Sequence, residues 1–478
     1  MKCEKSYEWL NFLVTFSLIF IGVFFLFHWF KLSPGFNVSR RIALSGNDIV
    51  EKVTNQKTDI KGKFEKFTGV PSSLKGSWTG FRGMLKDNIN RESVSLVETL
   101  DPNNLPIKWT VDLGDGYAGA AIANGRVYLL DYDKENESDS LRCFSVLDGK
   151  EIWRRSYRIK IKRNHGISRT VPAVNDKYCL TIGPKCHVMC VNSLNGDFLW
   201  GIDLKEDYGT KIPLWYTGQC PLIDENLAIL APAGKKLIIG VDCTSGKVVF
   251  STPNPDKFKM SHSSIIPMTF HGKKMYVYCP IGGIVGISAE DKDRGTVLFK
   301  TTEWKHSVIS PSPVKVRDDM ILVSAGYGAG SMMFRVIYKD NIFSIKKLFA
   351  IDKSDFACEQ HTPIYYKEHL FTVLPADAGE RNKELVCMKP DGTHVWSSGK
   401  DNRFGLGPFL IADEKIFVLN DNGVLTVVKA SPVSYNQIWQ TRVLKGREAW
   451  APIALSGGLM ILRDLKRMIC LDLRKDVN

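Results

Sequence analysis

Four of the nine histidines in this chain lie in short segments that each precede a proline. The same segments contain arginines, aromatic residues and carboxylates, and we predict that together they supply one binding site. The candidate binding residues are His165, Arg169, Trp215, Tyr216, Gln219, His262, His306, Glu359, His361, Arg403, Arg447, Glu448 and Trp450. Cationic side chains bind carboxylates and phosphates, and Trp and Tyr rings stack on a sugar or a quinone. These residue types predict an anionic or carbohydrate ligand.

Catalysis by the same residues has less support than binding. Glu359 and His361 could act as an acid–base pair, but side chains two residues apart on an extended segment point in opposite directions. A polysaccharide-active enzyme would need two carboxylates that face each other across a sugar, for which Glu359, Glu448 and Asp377 are candidates. This enzyme class stays open as an alternative, and no catalytic residue is assigned.

No metal site is predicted. His262, His306 and His361 lack an accompanying shell of carboxylates. The eleven cysteines include no Cys-x-x-Cys pair, so they give neither a zinc signature nor a disulfide framework. We predict buried thiols at the cysteines that fall in strands, with one or two disulfides as the alternative. These cysteines are Cys179, Cys190, Cys243, Cys279, Cys387 and Cys470.

The elements that must position the candidate residues follow a regular period. Seven prolines recur at intervals of 44 to 50 residues, and each begins a segment that is typical of a β-strand. They are Pro172, Pro221, Pro267, Pro313, Pro363, Pro408 and Pro452, with Ala121 at the eighth position. This period is the length of one four-stranded propeller blade. Loops that enter the innermost strands of a propeller share one rim, so the candidate segments, here called rim loops, should converge.

A second repeat marks the outer strand of each blade. A Gly-x-x-x-Trp or Gly-x-x-x-Phe pattern recurs about 30 residues after most of these prolines. The aromatic positions are Trp109, Trp153, Trp200, Phe250, Phe299, Phe349, Trp396 and Trp439. Because Trp109 comes before the first blade and the last blade lacks such a residue, the strand 105–113 should pair with the C-terminal blade. The pattern predicts an all-β, eight-bladed propeller of four-stranded antiparallel blades, closed by its N- and C-terminal strands.

The repeat resembles that of a known family. The Gly-x-x-x-Trp ends, preceded by Asn192-x-x-Asn195 or Asp242-x-x-Ser245, resemble the tryptophan-docking repeat of PQQ-type β-propellers. Trp78-Thr79-Gly80-Phe81-Arg82-Gly83 is similar to the lead-in of many bacterial PQQ-like repeat proteins. The resemblance covers residues 76–478 and implies the fold rather than an activity, because the family includes quinoprotein dehydrogenases and outer-membrane assembly scaffolds.

The resemblance also bears on cofactors. A dehydrogenase of this family is expected to have adjacent cysteines and a calcium-binding set of Glu, Asn and Asp. The sequence contains no Cys-Cys pair and no recognisable calcium set. We therefore expect no bound PQQ and favour a binding or scaffold module over an enzyme, with a PQQ-dependent oxidoreductase as the alternative.

The N-terminal region differs in composition from the rest. Residues 9–30 carry no charged side chain other than His28, which predicts a transmembrane helix between a short flank, 1–8, and a polar tether, 31–75. A lead-in segment, 76–104, and the propeller, 105–478, follow. A cleaved signal peptide is the alternative. The flanking charges slightly favour a cytoplasmic propeller, but the family resemblance implies an extracytoplasmic, periplasmic one.

The net charge is +13, from 64 basic and 51 acidic residues. A positive surface near a membrane is attracted to anionic headgroups. The basic residues are spread over the chain without a run of alternating basic and aromatic residues, so no nucleic-acid partner is predicted. The expected partners are the membrane, through the helix, and a protein or an anionic or carbohydrate ligand at the rim loops.

Overall fold

The computed structural model describes residues 4–32, 57–162 and 166–475. These residues belong to two compact units, Met1–Lys57 and Thr58–Asn478. The first contains helix α1 (Glu4–Leu32), which is apolar in its middle. By length and composition, Phe12–Trp29 within it is a candidate membrane span.

The second unit is built almost entirely of short strands. The first eighteen are β1 (Lys63–Lys66), β2 (Ile107–Asp112), β3 (Ala121–Ala123), β4 (Arg126–Asp133), β5 (Ser138–Ser145), β6 (Glu151–Arg158), β7 (Ala173–Val174), β8 (Tyr178–Ile182), β9 (His187–Asn192), β10 (Phe198–Asp203), β11 (Leu222–Asp224), β12 (Leu227–Leu230), β13 (Lys236–Asp242), β14 (Val248–Pro253), β15 (Ile266–Phe270), β16 (Lys273–Tyr278), β17 (Ile284–Ser288) and β18 (Val297–Thr301). The others are β19 (Val314–Val316), β20 (Met320–Ala325), β21 (Gly330–Lys339), β22 (Ile342–Ile351), β23 (Ile364–Tyr366), β24 (His369–Val373), β25 (Leu385–Met388), β26 (His394–Ser397), β27 (Phe409–Ala412), β28 (Lys415–Leu419), β29 (Val424–Lys429), β30 (Gln437–Arg442), β31 (Ala454–Ser456), β32 (Leu459–Arg463) and β33 (Arg467–Asp472). A short helix, α2 (Leu204–Tyr208), follows β10, and 3₁₀ turns lie at Asp291–Asp293 and Gly379–Arg381.

The strands form eight antiparallel sheets, which are the blades of a propeller. Blade 1 is β3–β6, and blades 2 to 7 follow as β7–β10, β11–β14, β15–β18, β19–β22, β23–β26 and β27–β30. Blade 8 consists of β31–β33 with β2 as its outer strand, in a register that pairs Trp109 with Cys470. The predicted eight-bladed fold and its closure by the two ends of the propeller are confirmed.

Blade 1 has a fifth strand. β1 pairs antiparallel with the outer strand β6, and nearby Ile60 is buried. Residues 58–75, which were predicted to be part of a tether, therefore fold as part of the propeller unit. Residues 33–56 of that predicted tether lie outside the described residues.

Glycine and aromatic residues of the outer-strand repeat interlock neighbouring blades. Gly149 of blade 1 has φ +68°, and a Cβ there would lie 2.7 Å from the Trp109 ring of blade 8. A Cβ at Gly246 would likewise lie 2.7 Å from the ring of Trp200, which belongs to the preceding blade. The indole Nε1 of Trp109 also donates to a backbone carbonyl of blade 1, that of Val146, at 2.9 Å. Only glycine permits both the left-handed turn and this close approach of a ring.

The lead-in segment fills the central channel from the end opposite the rim loops. Trp78 forms a backbone bridge with Ile122 of the innermost strand β3. Farther along, side-chain amides donate to carbonyls of other innermost strands, from Asn88 to Phe409 at 2.6 Å and from Asn90 to Leu455 at 2.7 Å. These bonds satisfy backbone groups that face the channel, so the lead-in is part of the core of the ring.

The cysteines of the described chain are all free thiols in the interior of the propeller. They include the six that were predicted to be buried in strands. Burial raises the pKa of several of these thiols, for example Cys220 to about 11, so they remain protonated at neutral pH and act as small apolar side chains.

Candidate functional site

The rim loops of all eight blades meet around one cavity of about 260 Å³. Phe81 of the lead-in also lines it. Because the lead-in fills the channel beneath, the cavity opens on the rim-loop side only, and we call it the central cavity. Each blade contributes at least one of Tyr117, Arg169, Trp215, His262, Ser310, Glu359, His361, Leu406 and Trp450.

Aromatic rings form much of the wall. The rings of Tyr117 and Trp450 lie 5.1 Å apart, and those of Trp215 and Tyr327 lie 5.9 Å apart with an angle of 30° between their planes. Trp215 and Tyr327 have φ of +63° and +56°, a region in which a non-glycine residue costs about 1 to 3 kcal/mol. The surrounding packing therefore holds these two rings in place against backbone strain.

Two charged side chains line the cavity among the described residues. The guanidinium of Arg169 lies 5.3 Å from the centre of the Tyr117 ring, a cation–π arrangement, and burial lowers its pKa. The carboxylate of Glu359 accepts a hydrogen bond from the Ala376 amide at 3.0 Å, and burial raises its pKa. One cation and one anion thus share the space.

The two histidines of the cavity are uncharged at neutral pH. Burial, assisted by the positive charge of Arg169, lowers the pKa of His262 to about 4. Burial alone lowers that of His361 to about 4. The His361 ring hydrogen-bonds the backbone carbonyl of Trp450, while its Nε2 is buried without a partner. The ring proton is therefore on Nδ1, and Nε2 presents a lone pair.

The polar neighbours of the wall hold its rings in place. The Tyr117 hydroxyl donates to Glu448 at 2.6 Å, and burial raises the pKa of Tyr117 to about 12. The indole Nε1 of Trp450 donates to Asp421 at 2.7 Å, and the same carboxylate accepts the Leu406 amide. These bonds fix rotamers that packing alone would leave adjustable.

Comparison with known proteins agrees with the fold. A family model described as outer membrane protein assembly factor BamB matches residues 97–211 and 137–336, which is half of the chain. The chain belongs to the PQQ-like β-propeller family. No curated protein sequence matches it.

Solved structures of the PQQ-like propellers share its architecture at low identity. Quinohemoprotein alcohol dehydrogenase from Comamonas testosteroni has 11% identity and a TM-score of 0.54, with 83% of this chain and 80% of that chain covered. A europium-containing methanol dehydrogenase has 9% identity and a TM-score of 0.53, with coverages of 83% and 89%. Quinohemoprotein alcohol dehydrogenase ADHIIG from Pseudomonas putida HK5 has 11% identity and a TM-score of 0.51, with coverages of 83% and 80%. At such identities the likeness shows the fold alone.

In this PQQ-like propeller, six of the predicted binding residues line the central cavity. They are Arg169, Trp215, His262, Glu359, His361 and Trp450. Three more lie just behind the wall. Glu448 holds Tyr117, Tyr216 donates to the Lys162 carbonyl at 2.7 Å, and buried Gln219 donates to the Tyr278 hydroxyl at 3.0 Å.

Three other predicted residues do not line the cavity, and His165 lies outside the described residues. The ring of His306 packs against buried Trp304, with ring centres 4.4 Å apart. Arg403 donates to the backbone carbonyls of Asn382 and Glu380, so it connects blades 6 and 7. Arg447 is exposed. The sequence placed these residues in rim loops correctly, but it could not show which side chains turn toward the axis.

Several members of the wall were not among the predicted binding residues, and two of them, Phe81 and Tyr327, lie outside the rim loops. Tyr327 lies in the turn between β20 and β21, and this second set of turns opens on the same face as the rim loops. The flanking residues Gly326 and Gly328 were an available signal. Phe81 belongs to the segment that resembles a family motif, and nothing in its local sequence shows that the lead-in enters the channel.

The carboxylates considered for catalysis do not gather in the cavity. Glu448 accepts the Tyr117 hydroxyl, and Asp377 accepts the Gly328 amide at 2.6 Å. Of the three candidates only Glu359 lines the cavity. Over the described residues there is no group of His, Cys, Asp and Glu arranged to hold a metal ion. The two facing carboxylates that cleavage of a glycosidic bond needs are therefore not both among the described residues that line the cavity.

Proposed function

We propose that this protein is a membrane-anchored, extracytoplasmic binding module that captures a ligand or the tip of a partner in its central cavity. The observation that carries the proposal is that loops of all eight blades converge on one cavity, closed beneath by the lead-in. Concave sites with aromatic walls and a few fixed polar groups are typical of ligand binding. Six of the predicted binding residues line this one.

The residues of the cavity do not fit pyrroloquinoline quinone. That cofactor is a three-ring tricarboxylate, and its carboxylates would meet a single arginine, Arg169, together with the carboxylate of Glu359. Placing like charges close together in a partly buried site is unfavourable. The sequence also lacks the adjacent cysteines of the quinone-dependent members. We propose a function without bound quinone and without turnover.

The location is proposed from the helix and the family. Helix α1 provides a candidate anchor, and the matching family model describes an outer-membrane assembly factor. Tyr327, which lines the cavity, and Leu214, which precedes the lining residue Trp215, are more than half exposed. Apolar groups on an exposed rim favour contact with a partner protein, so the module can serve as a scaffold as well as a receptor.

A matched pair of variants tests whether the cavity binds. Ser310 lines the cavity, whereas Ser307 in the same rim loop is exposed and does not. Full-length protein in a detergent without a sugar headgroup is screened by thermal shift against small metabolites and glycosides. We expect at least one compound to raise the Tm of wild type and Ser307→Trp, but not of Ser310→Trp, whose indole fills the cavity. Equal shifts in both variants, or no shift with any compound, would refute the cavity as a site.

The oxidoreductase alternative has its own experiment. Full-length protein is incubated with pyrroloquinoline quinone and calcium and then desalted. We expect no retained quinone absorbance and no dye reduction with alcohols or aldoses. Retention together with dye reduction would replace the binding function with an enzymatic one.

A further inference from the structure

His361 lines the central cavity, and one of its ring atoms is a hydrogen-bond acceptor that the protein leaves unused. Nε2 of His361 is buried without a partner, and its lone pair is available because the ring proton on Nδ1 faces the Trp450 carbonyl. His361 as a whole is only 7% exposed. An unmade hydrogen bond at a buried polar atom lowers the free energy of unfolding. A ligand that brings an O–H or N–H donor to this atom recovers that free energy.

The walls favour a ring with apolar faces. Trp450 and Tyr117 lie on one side, and Trp215 stacks with Tyr327 on the other. Aromatic faces pack well against flat C–H surfaces, while the edges of such a ligand remain available for hydrogen bonds. A pyranose ring has both features, since its C–H groups form faces and its hydroxyls lie around the rim.

The charges favour a neutral ligand. Among the described residues that line the cavity, Arg169 and Glu359 offset each other. A ligand carboxylate would gain attraction from the first and repulsion from the second. Hydroxyl groups suit both, because they donate to a carboxylate and accept from a guanidinium.

The size favours one ring. A volume of about 260 Å³ is below the range of about 300 to 1,000 Å³ that is usual for pockets enclosing drug-sized molecules. The lead-in closes the cavity beneath, so a longer chain cannot thread through it. A glycan would therefore present only its end.

From these features we infer that the central cavity receives the terminal ring of a neutral sugar, with a ligand hydroxyl donating to Nε2 of His361. This inference rests on the proposed binding function and specifies its ligand. The carboxylate of Glu359 accepts a second hydroxyl, and the rings of Trp215 and Trp450 cover the faces of the sugar.

The experiment titrates full-length protein with simple glycosides and follows tryptophan fluorescence, since Trp215 and Trp450 lie in the wall. The detergent is a polyoxyethylene type, because a maltoside headgroup would compete. The ligands are neutral methyl hexosides and the methyl uronides of the same rings, which differ only by a carboxylate. The variants are His361→Phe, which keeps a ring but removes the acceptor, and His361→Gln, which restores one. His306→Phe is the matched control outside the cavity.

We expect at least one neutral hexoside to bind saturably and its uronide to bind at least tenfold more weakly. His361→Phe should lower the affinity for the hexoside at least tenfold, and His361→Gln should recover part of that affinity. His306→Phe should bind the hexoside like wild type. Uronide binding as tight as hexoside binding would overturn the inference, as would unchanged affinity in His361→Phe. If no hexoside binds, but another compound raises the Tm of wild type and not that of Ser310→Trp, then the inferred sugar ligand is wrong and the proposed binding function stands.

Discussion

The two ends of the central channel are made by the same innermost strands but satisfy their polar groups differently. At the lead-in end, the amides of Asn88 and Asn90 donate to strand carbonyls at 2.6 and 2.7 Å. At the rim-loop end, Nε2 of His361 has no partner, and Trp215 is held at positive φ. Strained and unpaired groups occur at both ends, since Asn88 has φ +66° and Nε of Arg82 is buried without a partner. The difference is that the lead-in amides bond to fixed strand carbonyls, whereas His361 and Trp215 line a cavity.

This difference separates the residues that stabilise the propeller from the residues that would bind a ligand. Groups that are paired with backbone carbonyls stabilise the fold in the absence of any ligand. Strained or unpaired groups lower the free energy of unfolding at either end, but only those on residues that line a cavity lie beside a space where a ligand can bind. We therefore expect substitutions at the lead-in end to affect stability most, and substitutions in the cavity to affect ligand binding and pH dependence.

The largest expected effect is at the lead-in. Trp78 is 3% exposed and packs against the backbone turn at Gly83. Trp78→Ala should lower the free energy of unfolding by about 3 to 5 kcal/mol, because it leaves a large void inside the channel. Chemical denaturation of full-length protein measures the loss.

Met84 provides the control in the same segment, since it is 62% exposed. Met84→Ala should change stability by no more than about 0.5 kcal/mol. Equal stability of the two variants would mean that the lead-in is not part of the core and that the contrast between the two ends is wrong.

A pair of glycines gives the next largest effect. Gly149 and Gly209 have the same φ of +68°, but a Cβ at Gly149 would meet the Trp109 ring at 2.7 Å, while one at Gly209 would meet nothing within 4 Å. Gly209→Ala should cost about 1 to 2 kcal/mol from the left-handed backbone alone. Gly149→Ala should cost about 2 to 4 kcal/mol, because the steric penalty is added to the backbone cost.

Thermal unfolding of both alanine variants checks this expectation. The difference between them isolates the contact between blade 8 and blade 1, which closes the ring. If the two variants unfold alike, the tryptophan moves away at little cost and the aromatic repeat does not lock neighbouring blades.

The period of the prolines was enough to predict eight blades, because every blade repeats the same local pattern of turn, strand and aromatic residue. The closing strand could also be predicted, from the offset of Trp109 against the first proline. The fifth strand of blade 1 could not be predicted in this way. β1 is short and polar, and its pairing depends on the exposed edge of β6 rather than on its own sequence.

For the cavity, the sequence could predict on which face of the propeller the candidate residues lie, but not which way their side chains turn. His306 and His361 occupy equivalent rim loops, yet the first packs on Trp304 and the second lines the cavity. His361 lies two residues before Pro363 and His306 seven before Pro313, but spacing alone does not give the direction in which each side chain turns. Which way a loop side chain turns depends on contacts with neighbouring blades, and these contacts join residues far apart in the chain.

The smallest of the expected effects concerns pH. Burial lowers the pKa of His361 to about 4 from an ordinary value of 6.5, and Asp421 opposes that shift only in part. As the pH falls below 6.5, the unfolded chain therefore binds a proton before the folded protein does, and the free energy of unfolding decreases until about pH 4. The loss from this one residue should be on the order of 2 kcal/mol.

His361→Gln, which does not titrate in this range, should show a correspondingly smaller decrease in Tm from pH 6.5 to 4. Its Tm at pH 7.5 serves as the baseline, since both forms of the protein are uncharged at this position there and any difference reports packing. A decrease as steep as that of wild type would mean that His361 is already hydrated and charged in the folded state, and its Nε2 would then not be the acceptor that distinguishes the cavity from the lead-in end.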